Sequence, residues 1–172
     1  MNARERRSAI AGRLAGGSAP LSATTLANEY GVSRQIIVGD IALLRAAGAE
    51  ISATPRGYVA AQPTRGVRRS VACVHSGEDM ERELCIIVDQ GGEAVDVVVE
   101  HPVYGEITGP LHIRSRYDVG EFLHRVREEG ASPLSALTGG IHLHTLKAPD
   151  EETMERVVEE LDRAGFLLKE SL

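Results

Sequence analysis

The sequence predicts an α+β fold in two parts: a small helical module, followed by a mixed β-sheet covered by helices. Helical periodicity dominates residues 1–50, whereas strands and helices alternate in the remainder. Charge divides along the same line. Residues 1–69 contain ten arginines and four acids, a net charge of +6, and the rest has nine basic and twenty-one acidic residues, a net charge of −12. Such asymmetry is typical of a polyanion-binding module joined to a different domain.

Three helices are predicted in the basic N-terminal third. The first is "NARERRSAIAGRLAGG", where Ile10 and Leu14 share a face and the glycine pair ends the helix. Serine caps are expected at the start of the second and third helices, at Ser22 and Ser33. A short helix, a turn containing glycine and a longer helix form a helix-turn-helix pattern.

The stretch "AEISATPRGYVA" predicts a short hairpin with Arg56 at or near its tip, which would be the wing of a winged helix. We therefore predict a winged helix-turn-helix DNA-binding domain at 1–62, a linker at 63–69 and a second domain at 70–172. The alternative is a three-helix unit used for protein contact.

Four residues are candidate DNA contacts, because arginine pairs with guanine or phosphate and glutamine with adenine: Ser33, Arg34, Gln35 and Arg56. Gly39 lies inside the third helix, where glycine costs about 1 kcal/mol relative to alanine. Its absent side chain would allow close approach either to DNA or to a packed helix, and the sequence leaves both open.

The acidic part predicts the order β-α-β-β-α-β-α-β, which fits a sheet covered by helices on one face. The predicted elements are strand 70–75, helix 78–89, strands 94–100 and 106–113, helix 117–129, strand 141–146, a helix capped by Asp150 and ending near Ala164, and a last strand Phe166–Leu168.

The stretch "GGIHLHTLKAP" places two histidines two residues apart, so on a strand His142 and His144 point the same way. His75 ends the first strand of this domain, and Glu83 lies near the apolar face of the following helix. Three imidazoles and a carboxylate form a plausible ligand set for a divalent transition metal such as nickel, zinc, iron or manganese. The alternatives are hydrogen-bonded core histidines, or a site in which Cys73 is a ligand.

Several classes of protein are excluded by what the sequence lacks. It has no nucleophile elbow, P-loop, dinucleotide-binding glycine pattern or HExxH helix, so we expect no enzyme. It has no apolar run of about 18 residues, and its N-terminus lacks the apolar core of a signal peptide, so we expect a cytoplasmic protein.

Four stretches carry a resemblance that covers roughly residues 4–170: "VSRQIIVGDIALLRAAGAEISATPRGY", "HPVYGEITGPL", "SRYDVGEFL" and "PLSALTGGIHLHT". They resemble the niacin-responsive transcriptional repressors, in which a biotin-repressor-type winged helix precedes a 3H domain. The resemblance implies a homodimer that represses NAD-precursor genes with nicotinic acid as corepressor, and a metal site on His75, Glu83, His142 and His144. One position departs from the family, which usually has glutamine where this chain has Gly39, so operator preference is expected to differ.

Nicotinic acid offers a pyridine nitrogen and a carboxylate, and one end would bind at the metal. Candidates for the remaining contacts are Arg116, or Arg114 in its place, His101, and the backbone of Thr138, Gly139 and Gly140, which could offer N–H groups to a carboxylate. The alternative is that these glycines simply form a turn. Two other functions remain open. The metal itself could be the effector of a metal-responsive regulator, or the domain could be a metal-dependent hydrolase fused to a DNA-binding domain.

Overall fold

The computed structural model of the chain describes residues 1–61 and 65–170 and divides into two compact units, Met1–Thr64 and Arg65–Leu172. The predicted domain boundary after residue 62 lies outside the described residues. The first strand of the second unit begins at Val67, so residues 67–69 are strand rather than linker. No helix among the described residues combines the length and apolar character needed to cross a bilayer.

The N-terminal unit contains three helices and a hairpin, as predicted: α1 (Ala3–Ala15), α2 (Ala23–Tyr30), α3 (Arg34–Ala46), β1 (Ile51–Thr54) and β2 (Gly57–Ala60). Ser22 and Ser33 cap α2 and α3 by accepting hydrogen bonds from backbone N–H groups three residues on. Apolar residues from all three helices and from β1 form one core, in which Ile10, Leu26 and Ile37 are fully buried.

Asp40 is a buried carboxylate on α3 that ties this helix to α1. One carboxylate oxygen lies 2.6 Å from Nε of Arg6, and the other lies 3.5 Å from a terminal nitrogen of Arg7. Asp40 follows Ile37 by three residues, so its helical position already places it on the core side. Two of the arginines counted toward the basic charge therefore have a structural role.

Gly39 is exposed on α3, and a β-carbon built on it would meet no atom within 4 Å. We expect Gly39→Ala to raise the free energy of unfolding by about 0.5–1 kcal/mol, because alanine restricts the unfolded chain and suits a helix interior. Gly12 of α1 is the matched control, since it is equally exposed and open. Thermal melts should show stabilisation by both substitutions, and DNA titration should show changed affinity only for Gly39→Ala. Equal effects of the two on DNA binding would contradict a role for Gly39 at the interface.

The C-terminal unit is an α+β domain, as predicted. Its elements are β3 (Val67–Val74), α4 (Met80–Asp89), β4 (Glu93–His101), β5 (Gly105–Ile113), α5 (Arg116–Glu128), β6 (Ile141–Ala148) and α6 (Glu151–Arg163), with short 3₁₀ helices at Gly77–Asp79 and Leu134–Thr138. The strand order is β3-β6-β4-β5. Residues from α4, α5 and α6 pack on one face of the sheet and form the core with it.

The sheet differs from prediction in two respects. It is antiparallel throughout rather than mixed, because β6 inserts between β3 and β4, which would otherwise be parallel neighbours. The predicted last strand, Phe166–Leu168, is a single bridge between Leu167 and Cys73. Among the described residues, two backbone hydrogen bonds flank that bridge, from Val74 N–H to the carbonyl of Phe166 and from Leu168 N–H to that of Ala72.

Candidate metal centre and nucleic-acid interface

A buried carboxylate and three imidazoles meet at the centre of the C-terminal unit. Oε2 of Glu83 lies 2.7 Å from Nε2 of His75 and 3.3 Å from Nε2 of His144, and Oε1 lies 3.1 Å from Nε2 of His142. All four side chains are at most 4% exposed. The structure thus brings together the four residues that the sequence analysis selected: two lie on β6, one on α4, and His75 directly follows the end of β3 at Val74 rather than ending the strand.

The topology explains this convergence. His142 and His144 alternate with exposed residues on β6, so both point toward the helices. Pairing of β3 with β6 brings the chain near His75 alongside them, and α4 places Glu83 above both. Gly140 permits the close approach, because its φ is 94° and a β-carbon there would lie 2.4 Å from the carbonyl oxygen of His75.

The second nitrogen of each imidazole defines its tautomer. Nδ1 of His75 lies 2.7 Å from the carbonyl oxygen of Ser76, that of His142 lies 2.9 Å from Gly140, and that of His144 lies 2.7 Å from Asp96. A carbonyl oxygen can only accept, so each Nδ1 carries the proton and donates it. Every Nε2 is therefore left to face the carboxylate, the arrangement that backbone carbonyls impose on metal-binding histidines.

Electrostatics within the cluster favour a cation. Burial raises the pKa of Glu83, but the three histidines, chiefly through hydrogen bonds from His142 and His144, lower it by more, so the carboxyl stays ionised. Burial lowers the pKa of His75 and His144, and the Glu83 carboxylate raises both by more. Without a metal, the negative charge of Glu83 would have to be compensated by protons on the Nε2 atoms. Several positively charged imidazolium groups would then lie close together in one buried site.

The residues fit a divalent metal on two observations. Glu83 oxygens lie 2.7–3.3 Å from the three imidazole nitrogens, close to the roughly 3.0–3.4 Å that separates two donors bound to one ion. Among the described residues, the group of donor atoms that all lie within 4.8 Å of one another is Cys73, Glu83 and His142. In addition, Nε2 of His75 is buried 2.7 Å from Oε2 of Glu83, but it has hydrogen-bond geometry to no atom of the described residues. A metal ion would satisfy this nitrogen and replace the protons on the others.

Cys73 remains the rival ligand. It pairs with His142 across β3 and β6, and its sulfur lies within 4.8 Å of ligand atoms of Glu83 and His142. Burial raises the pKa of the Cys73 thiol, and the Glu83 charge raises it further. The thiol is therefore protonated in the metal-free protein, whereas the imidazoles already point their Nε2 atoms at the cluster.

The predicted carboxylate cradle at Thr138, Gly139 and Gly140 requires correction. The N–H groups of both glycines donate to the carbonyl of Ser135, and the Thr138 hydroxyl donates to the carbonyl of Ile141. These donors are used within the turn, so they are not directed at a ligand. The turn instead presents Gly140 to His75.

Arg116 and His101 also lie away from the cluster. Nε and Nη2 of Arg116 lie 2.8 and 2.5 Å from the two carboxylate oxygens of Asp89, at the opposite end of α4 from Glu83. Nδ1 of His101 accepts hydrogen bonds from the backbone N–H groups of Val103 and Tyr104, so this histidine closes the β4–β5 hairpin. Neither is positioned for a ligand bound at the histidines.

The sequence analysis missed an aromatic and a cation beside the cluster. The ring of Phe166, 4% exposed, lies 5.1 Å from that of His75, between centroids. The guanidinium carbon of Arg82 lies 5.3 Å from the Phe166 centroid, and Arg82 is exposed. Arg82 directly precedes Glu83, and this adjacency on the first turn of α4 was the signal available in the sequence.

The four candidate DNA contacts lie at two places in the N-terminal unit. Ser33 caps α3, and its hydroxyl keeps its proton free to donate. Arg34 and Gln35 are exposed on the first turn of α3. Arg34 forms no ion pair with any described residue. Arg56 lies in the turn between β1 and β2. Gly39 is one turn beyond Gln35 and equally exposed, so these two residues share a face of α3.

Comparison with known protein families identifies two domains, which correspond to the N-terminal and C-terminal units of the fold. Residues 6–59 match an HTH domain, and residues 68–170 match the 3H domain. The chain is 52% identical over 151 residues to a protein of Thermotoga maritima named "Probable transcription repressor NiaR", covering 88% of this chain and 86% of that protein. It is 44% identical over 155 residues to "Transcription repressor NadR" of Bacillus subtilis, with the same coverage. The relatives are named as regulators, which confirms the expectation of a regulator rather than an enzyme.

Proposed function

Because the chain belongs to the family of transcription repressors that join an HTH domain to a 3H domain, we propose that it represses NAD-precursor genes with nicotinic acid as corepressor. In this proposal a homodimer binds operator DNA through α3 and the wing, and the C-terminal unit senses the corepressor at a divalent metal. Because the relatives are named as transcription repressors, the proposed task of the site is binding rather than turnover.

The observation that carries the proposal is the convergence of three Nε2 atoms on the Glu83 carboxylate. His75, Glu83, His142 and His144 would hold the metal. Bound there, a divalent ion supplies an open coordination position that suits a pyridine nitrogen or a carboxylate oxygen. Nicotinate has both groups, whereas benzoate has only the carboxylate and nicotinamide only the pyridine nitrogen.

Corepressor binding can be coupled to DNA binding only if the corepressor has different affinities for the DNA-competent state and for the other state of the protein. A ligand raises DNA affinity only by as much as it prefers the DNA-competent state, and the coupling is reciprocal. We therefore expect operator DNA to tighten nicotinate binding by the same factor as nicotinate tightens operator binding.

The test is a calorimetric titration of metal-loaded protein with nicotinate, nicotinamide and benzoate, repeated after chelation. We expect heat that is selective for nicotinate and that disappears with the metal. His144→Ala should remove the response to nicotinate and leave ligand-free DNA binding intact. A full response in that variant would contradict sensing at the metal, and absence of heat with every compound would favour a metal-responsive regulator instead.

Arg82 is the candidate partner for the second polar end of the corepressor. We expect Arg82→Ala to weaken nicotinate binding about 10-fold, the size of one charge-assisted hydrogen bond, without changing metal affinity. Arg116→Ala is the matched control, because it removes the same side chain from the Asp89 end of α4. Isothermal titration of both variants separates the two arginines. A larger loss in the Arg116 variant would instead support the carboxylate partner expected from the sequence.

A further inference from the structure

The first turn of α3 departs from what a helix N-terminus prefers. After the Ser33 cap, its three residues are Arg34, Gln35 and Ile36, and none of them is acidic. An anion is favoured near a helix N-terminus, and the third helical position after a serine cap favours glutamate or glutamine. By contrast, α1 has such a capping box, in which the side chains of Asn2 and Glu5 each accept a backbone N–H of the other residue. The chain therefore forgoes stabilisation at the start of α3, which indicates a role other than folding for this turn.

Ile36 is the residue of this turn that neither packing nor charge explains. It is 43% exposed and lies outside the core cluster that the described residues of this unit form. Helical spacing places it on the same outward face as Gly39 and, two turns on, the exposed Leu43. Asp40, the acid of α3, is 4% exposed. The outward face of α3 is therefore an uncharged strip with an aliphatic side chain at its start.

The charges beside this strip favour duplex DNA as its partner. Arg34 and Arg45 lie about three helical turns apart and therefore on one line along α3. Both are exposed, and neither forms an ion pair with any other described residue. Arginines along an uncharged strip fit phosphates at the rim of the major groove and base edges at its floor. On that floor, the apolar group available to an isoleucine side chain is the 5-methyl group of thymine.

We propose that Ile36 reads a thymine of the operator by packing against its 5-methyl group in the major groove. Gly39 makes this approach possible, because it follows Ile36 by one turn and a β-carbon built on it would meet no atom within 4 Å. The inference rests on the proposed function and adds to it a base that is read by apolar contact, beside the hydrogen bonds expected from Arg34 and Gln35. Burial of one methyl group corresponds to about a fourfold change in affinity.

Deoxyuridine tests this contact, because it lacks the methyl group of thymidine and keeps all of its hydrogen-bonding groups. The probe is the tightest duplex that the full chain selects from a random library, with and without nicotinate, in which each thymine is then replaced by uracil in turn. We expect the natural chain to bind about fourfold more weakly when one particular thymine of a half-site is replaced. Ile36→Ala should bind the unmodified duplex at least about fourfold more weakly and should no longer distinguish uracil from thymine at that position.

Two further variants separate base reading from a structural role. Leu43→Ala removes a similar side chain from the same face, two turns from Ile36, and should keep the fourfold discrimination at that thymine. Ile36→Gln supplies the side chain that a capping box with Ser33 requires. It should raise the melting temperature of the N-terminal unit by about 2–4 °C and still lose the discrimination. A residue that only supported the helix would not show gain of stability together with loss of methyl recognition.

Three results would overturn the inference: a selected duplex that tolerates uracil at every thymine, an Ile36→Ala variant that keeps the discrimination, or a Leu43→Ala variant that loses it. Failure of the proposed function gives a different result. If the full chain selects no duplex with or without nicotinate, the proposed function and this inference both fail. If it selects a duplex whose affinity responds to nicotinate but not to the methyl groups, only the inference about Ile36 fails.

Discussion

Glu83→Gln should lower the affinity for a divalent metal by about 100-fold or more and abolish the response to nicotinate. The substitution keeps the shape of the side chain but removes the carboxylate charge on which all three imidazoles converge. Changes to residues that only orient metal ligands already cost about 10–100-fold, so loss of an anionic ligand should cost at least as much. Competition with a chromogenic chelator measures the affinity directly.

Cys73→Ser is the control for this experiment. Cys73 is as buried as Glu83 and borders the same atoms, so its substitution disturbs the same region without removing an imidazole or the carboxylate. We expect metal affinity to change little, and we expect the cobalt-loaded natural protein to lack a thiolate-to-metal charge-transfer band. A charge-transfer band in the natural protein that disappears in Cys73→Ser, together with a loss of tight metal binding, would show that Cys73 is a ligand. One histidine would then be removed from the proposed set of ligands.

Combined substitution Arg34→Ala and Gln35→Ala should weaken operator binding at least about 100-fold. Each side chain that reads a base edge contributes about 1–3 kcal/mol, and both are exposed at the start of α3. Fluorescence anisotropy with labelled operator DNA and with unrelated DNA of the same length separates specific from general affinity. Metal affinity, which depends on the other unit, should not change.

Arg45→Ala provides the comparison within the same helix. Arg45 lies in the last turn of α3 and is exposed, so its loss removes one positive charge far from the first turn. We expect only a small loss that is equal for operator and unrelated DNA, because a phosphate contact carries no sequence information. If Arg45→Ala costs as much operator affinity as the combined substitution, binding is general electrostatics and α3 does not read sequence with its first turn.

Local sequence patterns predicted most elements of this chain, because caps and periodicity act over a few residues. The serine caps at Ser22 and Ser33 open α2 and α3 as expected, and Asp150 caps α6 by accepting from Thr153 N–H. Prediction was less accurate where long-range pairing decides the outcome. Strand β3 begins earlier than expected because its first residues pair with the end of β6, and the last predicted strand is reduced to one bridge.

The effector residues show the same limit. Arg116 was selected from its charge and Thr138 to Gly140 from their turn-forming composition, but charge and composition do not reveal which partners a group already has. In the fold, Asp89 binds Arg116 and Ser135 accepts from both glycines. Phe166 and Arg82 lie beside the histidines because the chain after α6 returns to β3, a path without a local signature.

By itself the sequence determined the two-part organisation and the helix-turn-helix with its wing. It also determined the choice of His75, Glu83, His142 and His144, because alternation on a strand and periodicity on a helix fix the direction in which a side chain points. Only the tertiary structure decided that these four side chains meet. Insertion of β6 between β3 and β4 brings its histidines to the middle of the sheet, under the first turn of α4. The same insertion leaves a sheet face without helices. Neither result follows from local pattern, because strand order is set by packing between residues far apart in the chain.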